Sequence, residues 1–168
     1  MSADAIKTVD FQPACGADIV VSCEKAKDPK NGSIYLKPTQ FVLGIGCRRD
    51  TAFENIDRAI RQSLLKLQID ISAIDMIASI DVKKDEPGIK EFCERNRIEF
   101  VTYTADELMA VQGEFSASQF VREHVGVDNV CERAAVLACS RECNEAGELV
   151  YKKHKYDRVT VAAARYPD

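Results

Sequence analysis

Three stretches of the chain gather residue types that bind or transform anions. In "FVLGIGCRRDTAF" (residues 41–53) an apolar run ends in Gly44 and Gly46, and Cys47, Arg48 and Arg49 follow. Glycines let a ligand approach the backbone closely, and guanidinium groups offer forked hydrogen bonds to carboxylates or phosphates. In "SIDVKKDEPGI" (79–89) Lys83 precedes Asp85, Glu86, Pro87 and Gly88, and in "YKKHKY" (151–156) Lys153 and Lys155 flank His154. Cys47 beside two arginines reads either as an activated nucleophile or as a buried thiol.

The elements around these residues determine where they meet. "QFVLGIG" has the pattern of a buried strand, and Ile56, Ile60 and Leu64 then mark one stripe of a helix. "IDMIASI" (74–80) reads as a second strand, "PGIKEFCERNR" as a second helix and "IEFVTY" (98–103) as a third strand. A short helix at "ADELMAV" follows, then helices at "SQFVREHVG" and "CERAAVLAC", and a terminal hairpin of "ELVYKKH" and "RVTVAAA". Capping boxes are expected at Thr51–Glu54, Thr104–Glu107, Ser116–Gln119 and Asn129–Glu132, with Pro87 at a first helical position. Alternating strands and helices predict an α/β fold: a three-layer α/β/α sandwich on a mixed, mostly parallel sheet of about five strands. Ligands of such sheets sit beyond the carboxyl ends of the strands. Gly44, Gly46, Arg48, Arg49, Lys83 and Thr104 are therefore expected along one edge. Strand alternation places Lys153 and Lys155 on one face of the hairpin and Lys152 and His154 on the other.

Composition narrows the classes. The chain is 168 residues long with a net charge of −4, 46% apolar and 30% charged residues. It forms one folded domain from about residue 40, preceded over 1–39 by a polar, turn-rich arm or linker containing a possible short strand in "ADIVVS". General attraction to nucleic acid is not expected of an acidic chain, so an anion must be held by a local cluster. The apolar runs are too short for a membrane span, no secretory signal opens the sequence, and a cytoplasmic protein is expected. Seven cysteines, several inside apolar patterns, fit buried free thiols, and no Cys/His set has zinc-ligand spacing. The Gly-x-Gly turn followed by Asp81 leaves nucleotide binding as a distant alternative. A dinucleotide loop would want a third glycine where Arg49 stands.

The segments "VLGIGCRRDT", "SIDVKKDEPGI", "VTYTADEL", "VCERAA" and "KKHKYDRVTVAAA" occur in order across residues 41–165. Together they resemble the C-terminal domain of the cobalamin-biosynthesis protein CbiG, a domain shared with the stand-alone protein CobE. The resemblance implies a place in the anaerobic route to vitamin B12. The family enzyme, cobalt-precorrin-5A hydrolase, opens a δ-lactone on a cobalt-containing tetrapyrrole and releases acetaldehyde. The implied lactone opening needs a base to activate water, for which Asp85, Glu86, Glu132 and His154 are the candidates. It also needs a donor for the developing oxyanion, which Lys83 or helix N–H groups would supply. Each carboxylate has a second reading as a helix cap. The cobalt then belongs to the substrate, and no resident cofactor is implied. Partners would be that intermediate, the remaining CbiG regions and neighbouring pathway enzymes, with the arm at 1–39 as the tail of a preceding region. By the same resemblance the motif residues are Gly44, Gly46, Cys47, Arg48, Arg49, Lys83, Asp85, Glu86, Pro87, Gly88, Glu132, Lys153 and Lys155. The chain departs from the family pattern at Asp50 and Arg158, where glycine is common. The alternative function is a non-catalytic, CobE-like domain that holds or hands over a corrinoid.

Overall fold

The computed structural model describes residues 19–21, 34–36, 40–116, 129–143 and 147–167. Two short strands, β1 (Ile19–Val21) and β2 (Ile34–Leu36), pair in parallel with each other. The remainder of the expected arm, the helix expected at 118–126 and the Ser116–Gln119 capping box lie outside the described residues.

The principal sheet has five strands in the order β5-β4-β3-β7-β6, formed by β3 (Phe41–Cys47), β4 (Ile74–Ile80), β5 (Glu99–Tyr103), β6 (Glu148–Lys155) and β7 (Val159–Arg165). Strands β3, β4 and β5 are mutually parallel. β7 runs antiparallel to both β3 and β6, as the terminal hairpin requires. Because β7 is reversed, it begins where β3 ends, and the carboxyl ends of β3, β4, β5 and β6 share one rim.

Residue alternation on the strands divides the interior into two cores. Leu43, Ile45, Ile77 and Val161 face α1 (Phe53–Leu67) and α2 (Pro87–Asn96), which bury Ile56, Ile60, Leu64, Ile89 and Phe92. Each of these buried side chains contributes about 1.5–3 kcal/mol of apolar transfer. Val42, Met76, Ala78, Ile80 and Ala164 face the other way, towards α3 (Ala105–Ala110) and α4 (Val130–Cys143). Helices on both faces of a mixed sheet make the α/β sandwich expected from the sequence. Among the described residues, no helix is long and apolar enough to cross a membrane.

Two expected helix starts form as read. Thr104 and Glu107 make a reciprocal capping box at α3, and Pro87 opens α2. Two others differ. The residue capping α1 is Ala52, and no side chain caps it. Thr51 instead donates its hydroxyl to the Arg48 carbonyl at 2.6 Å, and its N–H goes to Glu86 Oε1 at 2.9 Å. At α4, Asn129 Oδ1 does accept from the Glu132 N–H at 3.1 Å, but the Glu132 carboxylate turns elsewhere.

Candidate functional site

A cleft of about 430 Å³ opens on the α4 side of the shared rim. Its floor is apolar and small: Gly46, Ile80 and Thr160 from the strands, and Asn129, Val130 and Cys131 from the first turn of α4. That turn reaches the sheet because Gly44 has no side chain. A Cβ there would lie 1.7 Å from the Cys131 carbonyl oxygen. A helix N-terminus carries partial positive charge, so the floor favours anions before any side chain is counted.

The rim adds whole charges. Arg48, Lys83, Lys153, Lys155 and Arg158 all line the cleft, and no Asp, Glu or His does so among the described residues. Their local bonds differ. Lys83 Nζ pairs with Glu86 Oε2 at 2.9 Å, and Lys153 Nζ reaches the Ser116 carbonyl at 3.3 Å. Arg158 donates to the Arg49 carbonyl at 3.0 Å. Arg48 and Lys155 are exposed, with no side-chain partner among the described residues. They are the cations most available to an incoming carboxylate.

The sequence-predicted residues fall into two sets. Gly46, Cys47, Arg48, Lys83, Lys153 and Lys155 meet at the cleft. Gly44, Arg49, Asp85, Glu86, Thr104, Glu132 and His154 do not line it. Gly44 lies beneath the floor, and Thr104 caps α3. Arg49 is exposed beside the cleft and contributes its carbonyl to Arg158.

None of the candidate bases lines the cleft, and their surroundings differ. Glu86 is 5% exposed, and its oxygens hold the Thr51 N–H and the Lys83 ammonium, so it ties the β3–α1 turn to the β4–α2 turn. Gly88 completes that junction, since a Cβ there would meet the Thr51 carbonyl oxygen at 2.3 Å. The DEPG motif is thus a brace between two loops. Glu132 is fully buried and accepts from Ser116 N–H and Oγ at 2.8 Å each and from the Lys153 N–H at 2.6 Å. Asp85 is exposed and faces Lys90 at 3.5 Å. His154 stacks on Tyr151 with ring centroids 4.1 Å apart, and its Nδ1 lies 2.8 Å from the Lys152 carbonyl. Tyr151 belongs to the α1–α2 core, which puts the imidazole on the face of β6 turned away from Lys153 and Lys155.

At Cys47 burial outweighs the neighbouring cations and pushes the thiol up to about 11, against the opposing pull of the Lys83 ammonium. Cys131, in the floor, is pushed up to about 12 by burial. Both are protonated thiols at neutral pH. Among the described residues, no three His, Cys, Asp or Glu side chains gather to hold a metal ion.

Sequence reasoning missed the apolar and polar remainder of the cleft, including Ile80, Val82, Asn129, Cys131 and Arg158. For Asn129 the capping pattern was visible, but its position at the floor depends on how α4 docks. For Arg158 the signal was the departure from glycine. Both Arg158 (φ 61°) and Asp50 (φ 55°) occupy left-handed backbone, where glycine is least strained. Asp50 lies outside the cleft and does not cap α1.

The fold and the cleft define an α/β domain with a cation-rimmed cleft at the carboxyl ends of its strands. The chain belongs to the cobalamin synthesis G C-terminus family, whose model matches residues 41–164. It is 39% identical over 102 residues to the cobalt-precorrin-5A hydrolase of Salmonella typhimurium, a match covering 61% of this chain and 29% of that protein. It is 31% identical over 138 residues to the cobalt-precorrin-5A hydrolase of Priestia megaterium, covering 82% of this chain and 35% of the other. The chain therefore spans about a third of the length of these relatives. Among solved structures it resembles CobE, a protein from the cobalamin biosynthetic pathway, with a TM-score of 0.72 and 26% identity over 77% of this chain and 92% of CobE.

Proposed function

We propose that this chain acts in cobalamin biosynthesis as the substrate-gripping part of a cobalt-precorrin-5A hydrolase. The observation that carries the reading is the convergence of Arg48, Lys83, Lys153, Lys155 and Arg158 on one apolar-floored cleft. A cobalt-containing tetrapyrrole decorated with acetates and propionates has the complementary chemistry: an apolar ring and many carboxylates. Arg48 and Lys155 engage those carboxylates directly, as charge-assisted hydrogen bonds favour. The cobalt arrives with the substrate, and the reaction calls for no resident cofactor. A cytoplasmic setting suits such an intermediate.

In the reaction, water adds to the lactone carbonyl and the ring C–O bond breaks, giving a carboxylate and an alcohol. The alcohol then loses its proton, and the adjacent C–C bond breaks. Acetaldehyde leaves, while the electron pair enters the conjugated macrocycle, which takes up a proton. In this reading the α4 N-terminus and Lys83 steady the oxyanion of the first step. Glu86 and Glu132 have their oxygens committed to internal donors, and Asp85 and His154 lie off the cleft, so the water-activating base comes from outside it, from other CbiG regions or a neighbouring pathway enzyme.

That same commitment of Glu86 and Glu132 favours a second reading, in which the domain holds or hands over a corrinoid without turning it over. One experiment separates the two. The chain is mixed with the lactone substrate, first alone and then with the remaining CbiG regions added; acetaldehyde is measured by coupled NADH oxidation, and corrinoid uptake is followed by absorbance. Corrinoid uptake with acetaldehyde release that depends on both parts establishes the gripping role in hydrolysis. Uptake with no contribution to release in the mixture establishes the holding role, and no uptake defeats both readings. Tight binding of a nicotinamide or adenine nucleotide instead would revive the nucleotide alternative.

A further inference from the structure

We infer that Val82 is the contact for the face of the macrocycle, and that the ring enters the cleft edge first with its plane against this side chain. The inference rests on the corrinoid reading above. Val82 is 63% exposed, and among the described residues it is the one exposed large apolar side chain of four (with Leu65, Met109 and Val150) that lines the cleft. Behind it the wall continues in Ile80, Val130 and Val159, each less than a tenth exposed.

Its exposure is built into the fold. Val82 is the middle residue of a 3-10 turn, Asp81–Lys83, closed by Lys84 N–H to the Asp81 carbonyl at 3.0 Å. The Glu86 N–H holds the Lys83 carbonyl at 3.0 Å, and the buried Glu86 carboxylate anchors both Lys83 and Thr51. A β-branched side chain with few rotamers, on a turn fixed at that end, loses little entropy when a ligand covers it.

A small polyanion would need the cations and have no use for this apolar shelf. A flat apolar body fringed with acids uses both, laying its face on Val82 while its carboxylates reach Arg48 and Lys155. The cleft of about 430 Å³ is of the size that takes a drug-sized ligand. A decorated tetrapyrrole is larger, so one edge is held and the opposite edge projects outward.

The test compares two probes on the unaltered chain, Val82→Ser and Val82→Leu. The probes are a polycarboxylate cobalt corrinoid, titrated by absorbance, and inorganic tripolyphosphate, titrated by calorimetry. Val82→Ser should weaken corrinoid binding about tenfold, as expected for losing contact with one aliphatic side chain. Val82→Leu should keep that affinity, while tripolyphosphate binds all three proteins equally. Melting temperatures should be unchanged, because the side chain is exposed. If Val82→Ser binds the corrinoid as tightly as the unaltered chain, or loses both probes alike, the inference is overturned while the corrinoid reading stands. If the unaltered chain takes up no corrinoid, the reading beneath fails and this inference fails with it.

Discussion

On one face of the sheet, Leu43, Ile45, Ile77 and Val161 meet Ile56, Ile60, Leu64, Ile89 and Phe92 of α1 and α2. On the other, Val42, Ala78 and Ala164 meet Ala134, Ala135, Ala138 and Cys139 of α4. The first layer fills space with branched and aromatic side chains. The second lets a helix backbone come down onto the strands, closest where Gly44 passes under Cys131. Bulk keeps α1 and α2 at a distance, and their first turns pack against each other through Thr51, Glu86 and Gly88. Close approach instead delivers the first turn of α4 to the cleft. The layer of small residues is the one that builds the site.

The comparison breaks most visibly at Gly44. Gly44→Ala should destabilise by about 3 kcal/mol or more, because backbone must move to admit the methyl group. Ile60→Val in the opposite layer should cost about 1 kcal/mol. Urea unfolding measures both, and equal losses would erase the proposed difference between the layers. The boundary of the site is sharpened by the adjacent arginines. Arg48→Ala should weaken binding of a polycarboxylate corrinoid by about 1–3 kcal/mol and flatten its salt dependence. Arg49→Ala, outside the cleft, should change affinity by less than about 0.5 kcal/mol. Titration at two ionic strengths decides, and equal effects would extend the site beyond the cleft.

A smaller effect is expected where α3 supports α4. Thr104→Ala removes the cap and should cost about 1 kcal/mol. The Glu107 carboxyl is held down to about 2 by the Thr104 N–H and hydroxyl, with help from Arg141. Its folded value lies below its ordinary 4.5, so its contribution is complete above about 4.5 and lost as pH falls towards 2. Acid titration of stability should show a shallower slope in that window for Glu107→Gln than for the unaltered chain. The smallest change is Asp50→Gly, which relieves a left-handed residue on the α1 side and should stabilise by about 0.5–1 kcal/mol, read as a rise in melting temperature.

Much of the scaffold was legible because its signals are local. Apolar periodicity marked β4 over residues 74–80 without error, and Pro87 marked the start of α2. Strand order was not readable, since the β3–β7 pairing joins Phe41 to Arg165 through contacts with no local trace. At the site, the glycines and cations of the β3 and β4 turns and of β6 were found through residue type. Glu86 and Glu132 were read as bases because a carboxylate beside a motif looks chemical. Their partners at Thr51 and Ser116 are far along the chain, and only those partners show them to be braces. The Thr51–Glu54 cap failed for the same reason, as the Glu86 carboxylate captured the Thr51 N–H. His154 illustrates a different limit. The bulged register between Tyr151 and His154 brings the two rings onto one face, where strict alternation would have separated them.

The reversed strand β7 has a consequence for how the molecule is made. Its partner β3 is the middle strand of the sheet, yet residues 159–165 leave the ribosome more than a hundred positions after it. Until they emerge, β3 has one side unzipped and Arg48 lacks the Arg158 carbonyl that receives its N–H. Maturation should therefore be slow and late, in keeping with a high contact order. A nascent polypeptide stalled before Val159 would expose a hydrophobic seam that invites self-association.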